Sequence, residues 1–499
     1  MTRVRYAFYA DGTDLWRNVA EVLGVGHGFD PAIWFGHPSH LEHAGQRFPG
    51  CELLDERLLD SGDFPRDQGT GLPLEIRESL PFQRATLAAL DSLQRNEVHR
   101  EVPYLARRTF LSVLAEHLWF HLSDREVTHV VAAQAPHSPS GLLFAGLVEA
   151  AGLPMMHFQH STIGPYSFPR TGPSYEPVDL VDLSRQGRIR QPPREEVHHW
   201  VEDFVSRASG HQLPEIDAQV YSASQGYRGL IGLGRDLRNT RRSLRRTQGR
   251  STSVSIGPIE SRRFAGIPTA VESVRSRRRR SAALIRVHQA VLHRDELPDR
   301  FWLMLLHYEP EKSTNPDGGE NRDQLAFIRA VARQLPSDTM LVIREHPAQF
   351  TLSKVGFAGR HPSFYEEVAS VSGVLVADPL ISNWELLDRS LLVFTVTGTI
   401  GLEALVTGRP VVHAGLPWYR GLPGTFHARD LSVISDTIEL ALASPPVGDV
   451  SELLASAIGD GALEAVITPG VVRLYEGLGW QVKQDSASVA EVIAQFLRK

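Results

Sequence analysis

Residues Leu391–Gly421 read LLVFTVTGTIGLEALVTGRPVVHAGLPWYRG. Leu391–Thr395 is a short apolar and β-branched run between polar residues, as a buried parallel strand requires. Thr397-Gly398-Thr399 then supplies a turn, with Thr399 placed to cap a helix. Ile400, Leu402, Ala404 and Leu405 give that helix its apolar content, and Gly408 stands where a left-handed residue ends it. Pro410–His413 forms the next strand. The loop Thr397–Thr399 therefore lies at the carboxyl end of a strand and the start of a helix, where open α/β sheets take ligands and where phosphate is favoured. Glu403, one turn further in, is within reach of a ribose or sugar hydroxyl; the alternative is an ordinary βαβ unit with a solvated glutamate.

The surrounding pattern extends the sheet. Phe301–His307 is a strand followed by a long polar loop, Tyr308–Arg322. Asp323 caps a helix with Leu325, Ile328, Val331 and Leu335 on one face. Thr339–Ile343 is a strand ending in Arg344-Glu345-His346-Pro347. Val374–Ala377 is another, and a short helix around Trp384–Leu387 leads into the opening strand. Alternating strands and helices predict a parallel sheet whose strand-end loops all open on one edge. His-Pro also occurs at His37 and His361, but only His346 directly follows a buried strand.

The N-terminal part has the same character. Val4–Tyr9, Ala32–Phe35, Cys51–Leu54, Thr128–Ala133 and Pro154–Phe158 read as strands. Leu80–Leu122 reads as helix, broken near Val102-Pro103. The last two strands end in histidine loops at His137 and His160, which a parallel sheet opens on the same edge. A structural hydrogen-bonding role is the alternative for each. His27, His37, His40 and His43 crowd a loop, but no cysteine or paired carboxylate completes a ligand set, and surface histidines are expected there.

The chain has 499 residues, enough for two or more domains. Its 42% hydrophobic and 22% charged content is that of a globular protein. Cys51 is the single cysteine, which excludes an intrachain disulfide and fits a reducing compartment. No run suits a signal peptide or a membrane span, so a cytoplasmic location is expected. The net charge of −6 is unevenly spread. Arg228–Arg286 holds 16 arginines against three acids. The bland reading is a solvated inter-domain insertion. The sharper one makes Arg241, Arg242, Arg245, Arg246, Arg277, Arg278, Arg279 and Arg280 a surface for anionic membrane lipid or an acidic glycan acceptor. Nucleic acid is not expected, since no aromatic interleaving accompanies the charge. GxGxxG, P-loop, GxSxG, HExxH and DxD patterns are absent, so neither a cofactor nor a bound metal is expected.

The expected architecture is α/β: two Rossmann-like domains facing across a cleft, with an Arg-rich inter-domain insertion; the resemblance described next makes it GT-B-like. The expected boundaries are 1–185 for the acceptor side, 186–299 for the connecting segment, 300–450 for the donor side and 451–499 for C-terminal helices that could pack on either domain.

Leu306-His307-Tyr308-Glu309-Pro310-Glu311, Arg344-Glu345-His346-Pro347 and Thr397-Gly398-Thr399-Ile400-Gly401-Leu402-Glu403-Ala404 with Gly408-Arg409-Pro410-Val411 resemble the capsule polysaccharide biosynthesis proteins, bacterial surface-glycan enzymes related to the Kdo transferases. Ala135-Pro136-His137 and Gln159-His160 are similar to that family more loosely. The resemblance implies a metal-independent GT-B glycosyltransferase with a nucleotide-sugar donor, CMP-Kdo in the best-known relatives, working at the inner face of the membrane on a lipid-linked or polysaccharide acceptor. On that basis Arg344, His346, Pro347, His307 and the Thr397-Gly398-Thr399 turn would hold the donor. Glu403 or Glu311 would bind hydroxyls, and His160 or His137, with Glu311, would be the candidates for acceptor binding or acid–base work. A nucleotide-sugar 2-epimerase, a glycerophosphate-type transferase and a non-catalytic assembly protein on the same fold are the alternatives.

Overall fold

A computed structural model describes residues 4–10, 13–66, 71–93, 103–211, 267–309, 311–350, 356–477 and 484–499. The strands are β1 (Tyr6–Ala10), β2 (Pro31–Gly36), β3 (Glu52–Asp55), β4 (His129–Ala132), β5 (Met155–His160), β6 (Tyr166–Thr171), β7 (Glu176–Pro177), β8 (Phe301–Leu305), β9 (Leu341–Arg344), β10 (Val374–Ala377), β11 (Ser390–Thr395), β12 (Val411–His413), β13 (Thr425–His427) and β14 (Leu463–Glu464).

They form two sheets. The second runs β10-β9-β8-β11-β12-β13 and is parallel throughout. Numbered within itself, that order is 3-2-1-4-5-6, the doubly wound arrangement whose switch point lies between its first and fourth strands, here β8 and β11. Its strands are apolar on both faces because helices cover both: Trp302, Met304 and Phe394 face one core, and Phe301, Leu303 and Val393 the other.

The first sheet runs β14-β6-β5-β4-β1-β2-β3, with β7 beside β6. From β3 to β5 it is parallel and repeats the 3-2-1-4-5 order, with its switch point between β1 and β4. Beyond β5 the chain turns back at Gly164 (φ +69°), and β6 pairs antiparallel. The expectation of a purely parallel continuation misses this hairpin.

The C-terminal segment returns to the first sheet. β14 pairs antiparallel with β6, and the helix Ser486–Leu497 buries Val489, Ile493 and Leu497 with Trp16, Val19 and Leu23 of the helix Asp14–His27. Thus 451–499, open to either partner on sequence grounds, joins the N-terminal sheet through β14 and its last helix, while Leu454 and Ile458 lie in the seam between the halves. The architecture is GT-B-like, with two Rossmann-like sheets and a C-terminal crossover.

The halves touch along a wide seam. Phe168 stacks on Trp418 at 5.1 Å, and Leu402, Trp418 and Tyr419 share one buried cluster with Ile163, Tyr166, Leu454 and Ile458. Arg170 donates to the Trp418 carbonyl, Gln159 to the Leu416 carbonyl, and Arg420 to the carbonyls of Ser174 and Tyr175. The loop after β8 also reaches across: Asn315 donates to the Ala88 carbonyl and Arg322 to Asp91.

Candidate functional site

The switch point of the second sheet is built on His307. Its backbone leaves β8 with N–H donated to Gln324. Its Nε2 accepts the Thr397 N–H at 3.0 Å, so the ring proton sits on Nδ1, which faces Ser313 Oγ at 3.3 Å. Burial, then the neighbouring His346 and Arg360, push His307 down to about 3, so the imidazole is neutral at physiological pH. The neutral ring is what lets it accept from an amide.

The turn after β11 is held from three sides. Thr397 Oγ1 donates to the Ser313 carbonyl, the Gly398 N–H donates to Thr395 Oγ1, and the Tyr419 hydroxyl donates to the Gly398 carbonyl at 2.5 Å. A Cβ on Gly398 would meet Thr395 Oγ1 at 2.7 Å, and one on Gly401 would meet the Tyr419 hydroxyl at 2.3 Å. Both positions need glycine for close approach. The helix Ile400–Val406 follows, and Gly408 ends it at φ +74°. Thr399 occupies the N-cap position with helical backbone (ψ −21°), and its hydroxyl makes no capping bond; the cap expected from the sequence is positional only. Thr397 and Gly398 have already committed their amides, and those of Gly401, Leu402 and Glu403 donate to the carbonyls of Gly398 and Thr399, which leaves the amides of Thr399 and Ile400 for a ligand. Glu403 is mostly buried beneath Tyr419, whose phenol is raised by burial and then by this carboxylate.

A buried polar network fixes the loops around this turn. Arg360 Nε donates to Glu345 Oε2 at 2.6 Å, and its Nη2 donates to the His307 carbonyl at 3.0 Å. Tyr365 donates to Glu345, Gln324 to Glu309, and Gln349 to the carbonyls of Glu309 and Gly356. Burial alone would lower the Arg360 guanidinium, but Glu345 and Glu309 more than reverse that and keep it charged. Sequence reading missed Arg360, Glu345, Gln324 and Gln349 as a unit. Only Glu345 stood inside a quoted motif, and none of their spacings signals that they meet.

The other expected donor residues lie nearby. His346 follows β9, accepts the Ala348 N–H on Nδ1 and has its ring 6.1 Å from that of Tyr308. Pro347 opens the buried turn Pro347–Phe350. Arg344 is buried, and its guanidinium donates to Asn383 and the Pro379 carbonyl, so it ties the loop after β10 to β9. Glu311 is exposed and accepts from Ser313.

The N-terminal strand ends face this edge. His160 ends β5, and His137 lies in the loop after β4, its carbonyl accepting from Ser92. Lys312, from the loop after β8, donates to Gln134 at 3.2 Å across the seam. At the first sheet's own switch point, Tyr9 donates to Glu56 and lies 3.4 Å from Ser138 Oγ, while Asp60 accepts the Ser140 N–H at 2.8 Å. Burial, then Glu56, raise Asp60 to about 7. Sequence reading passed over this carboxyl pair.

Elsewhere, His43 pairs with Glu21 and His27 with Glu491. Arg241, Arg242, Arg245 and Arg246 lie outside the described residues. Arg277–Arg280 lie on the helix Ile267–Val291, which packs Leu284 against Phe350 and Tyr365; Arg280 also lies over the Phe357 ring at 4.9 Å. The helix is therefore docked beside the His346-Pro347 turn. Among the described residues no helix is long and apolar enough to cross a membrane.

Residues 296–432, which contain the whole switch-point crevice, match the family described as capsule polysaccharide biosynthesis protein. Over this segment, about a quarter of the chain, the sequence is similar to that family. The match bears out the resemblance read from the sequence. No curated protein matches the chain. Among solved structures, it is similar to Thermosulfurimonas dismutans KpsC, β-Kdo 2,7 transferase (16% identity, 36% of this chain and 53% of that chain, TM-score 0.23). It is also similar to the β-Kdo 2,4 transferase of the same KpsC (14%, 66% and 79%, 0.27). A third likeness is to Methanocaldococcus jannaschii UDP-GlcNAc 2-epimerase in complex with UDP-GlcNAc and UDP (10%, 91% and 98%, 0.24). The first match spans about half of that transferase chain. Likenesses at this level say nothing about chemistry.

Proposed function

We propose that the chain is a glycosyltransferase of capsule or related surface-polysaccharide synthesis, taking a nucleotide-sugar donor in the crevice between β8 and β11. The observation that carries this reading is the coincidence of the family match with the switch point of a 3-2-1-4-5-6 sheet. In this reading the donor phosphates lie against the turn Thr397–Thr399 and the amides of Thr399 and Ile400. His346 is a second donor-phosphate ligand, stabilising charge that develops as the sugar bond breaks. His307 holds the turn in place. Arg344, whose guanidinium is committed to Asn383 and Pro379, acts by positioning the loop rather than by touching the phosphate. Glu403 or Glu311 takes a hydroxyl of the nucleoside or sugar. His160 or His137 serves the acceptor. No metal is assigned a role, and CMP-Kdo is one donor to be tested. The cations of the helix Ile267–Val291 would lie toward an anionic membrane or acceptor.

The test is a thermal-shift screen of the full chain with CMP-, UDP-, GDP- and CDP-linked sugars, repeated on His346→Ala. One nucleotide should stabilise the wild type by about 2–3 kcal/mol at ~100 times its dissociation constant and leave the variant unmoved. If none stabilises the wild type, the transferase reading is wrong.

A further inference from the structure

We propose that the exposed start of the helix Tyr104–Asp124 is a membrane-contact prong, which seats the crevice of the first sheet against an anionic lipid bilayer. The proposal deepens the transferase reading and rests on it only in taking the acceptor to be lipid-linked.

The position of the prong follows from the winding. The chain passes from Asp124 into β4 at His129, so the helix ends at the amino edge of the first sheet and begins at its carboxyl edge. The preceding helix, Leu80–Leu93, reaches the same edge, where Ser92 donates to the His137 carbonyl. The helix Tyr104–Asp124 has 21 residues and is about 30 Å long, against about 13 Å for β4. Its buried side chains run from Phe110 to Leu122 and join the core of this half. The overhang is therefore at the start of the helix. Its base is fixed by Phe64, whose ring lies 6.4 Å from that of Phe110 and which follows the helix Glu56–Ser61 that carries Glu56 and Asp60. The overhang thus stands beside the crevice of the first sheet.

Its side chains suit the boundary of a bilayer. Tyr104 is 57% exposed and Leu105 65%, and Leu58, on the helix Glu56–Ser61, is 42% exposed. Arg108 is exposed and Arg107 half-buried. No acid occurs from Tyr104 to Ala115. An aromatic ring with a polar tip, a leucine and arginines at one helix end match the headgroup region: the ring and the leucine enter it, and the cations meet lipid phosphates. A protein partner fits less well, because so few side chains fall far short of the ~800 Å² per partner that a stable interface buries. The helix Ile267–Val291 offers a contrast. Arg275, Arg279 and Arg286 are exposed on it, with no exposed leucine or aromatic between them. Such a stripe attracts an anionic surface but has nothing to insert, so its contribution fades in salt.

Co-sedimentation of the full chain with phosphatidylcholine vesicles, with and without phosphatidylglycerol, at low and high salt tests the prong. The wild type should bind the anionic vesicles and keep part of that binding at high salt. Tyr104→Ser combined with Leu105→Ser should weaken binding by about tenfold and remove the salt-resistant part, with the thermal midpoint unchanged. Arg108→Glu should weaken binding at low salt only. Arg279→Glu combined with Arg286→Glu should leave the salt-resistant part in place. Absence of binding by the wild type, or undiminished salt-resistant binding by the Tyr104 and Leu105 variant, overturns the proposal. So does a dimer, seen by sedimentation equilibrium, that this variant loses while its vesicle binding stays intact; the overhang is then an interface between copies. Nucleotide stabilisation in a chain that binds no vesicles leaves the donor reading standing. Vesicle binding by a chain that no nucleotide stabilises removes the donor reading alone.

Discussion

In the second sheet the crevice between β8 and β11 is lined by a neutral imidazole, threonine hydroxyls and the start of a helix. In the first sheet the corresponding crevice, between β1 and β4, is lined by Tyr9, Glu56, Asp60 and Ser138. The strand order around the two is the same, 3-2-1-4-5. The chemistry is opposite. Oriented amides and neutral donors favour an anion, whereas two carboxyls in one pocket repel it and favour hydroxyls. On the proposed reading, one winding rule yields a phosphate-seeking edge and a hydroxyl-seeking edge, and the lining side chains, not the fold, decide which is which.

The second crevice depends on its buried network, so the largest effect is expected there. Arg360→Ala leaves Glu345 buried without its cation and should cost about 3–5 kcal/mol in urea unfolding. A loss under 1 kcal/mol would mean the loops stand without it. His307→Ala strips the Thr397 N–H of its acceptor and opens a cavity; about 2–4 kcal/mol is expected, together with loss of nucleotide binding. Gly401→Ala drives a methyl into the Tyr419 hydroxyl and should cost about 1–3 kcal/mol. Tyr419→Phe in the same chain should recover part of that, and a double-mutant cycle with no coupling would show that the contact does not set the turn.

The first crevice is tested through its pH dependence. The folded pKa of Asp60, about 7, lies above its ordinary value of 3.8, so between these values the folded state binds more protons than the unfolded one. Its contribution to stability is complete below about pH 4 and is lost as pH rises toward 7. Asp60→Asn should therefore flatten the fall in stability over that window, as measured by urea unfolding at several pH values. An unchanged pH profile would return Asp60 to an ordinary surface acid.

Much of this was legible in the sequence, because buried parallel strands print as apolar runs. Ser390–Thr395, Val374–Ala377 and Leu341–Arg344 fall within a residue or two of the expected positions. Strand-end loops follow once the winding is right-handed, so Thr397, His307 and His346 were found. The hairpin β5–β6 escaped because nothing in Ser161–Gly164 distinguishes a turn-back from a crossover. β14 escaped because two residues carry no periodicity. The Arg360 network escaped for another reason: its bonded partners are up to 53 residues apart along the chain, and their meeting is a property of packing, not of local pattern.

The most direct test of the two-crevice account is amide hydrogen exchange on the full chain with and without the nucleotide that stabilises it most. Protection is predicted in 306–318 and 396–403, with 133–141 unchanged. Protection at 133–141, with the turn after β11 unmoved, would contradict it.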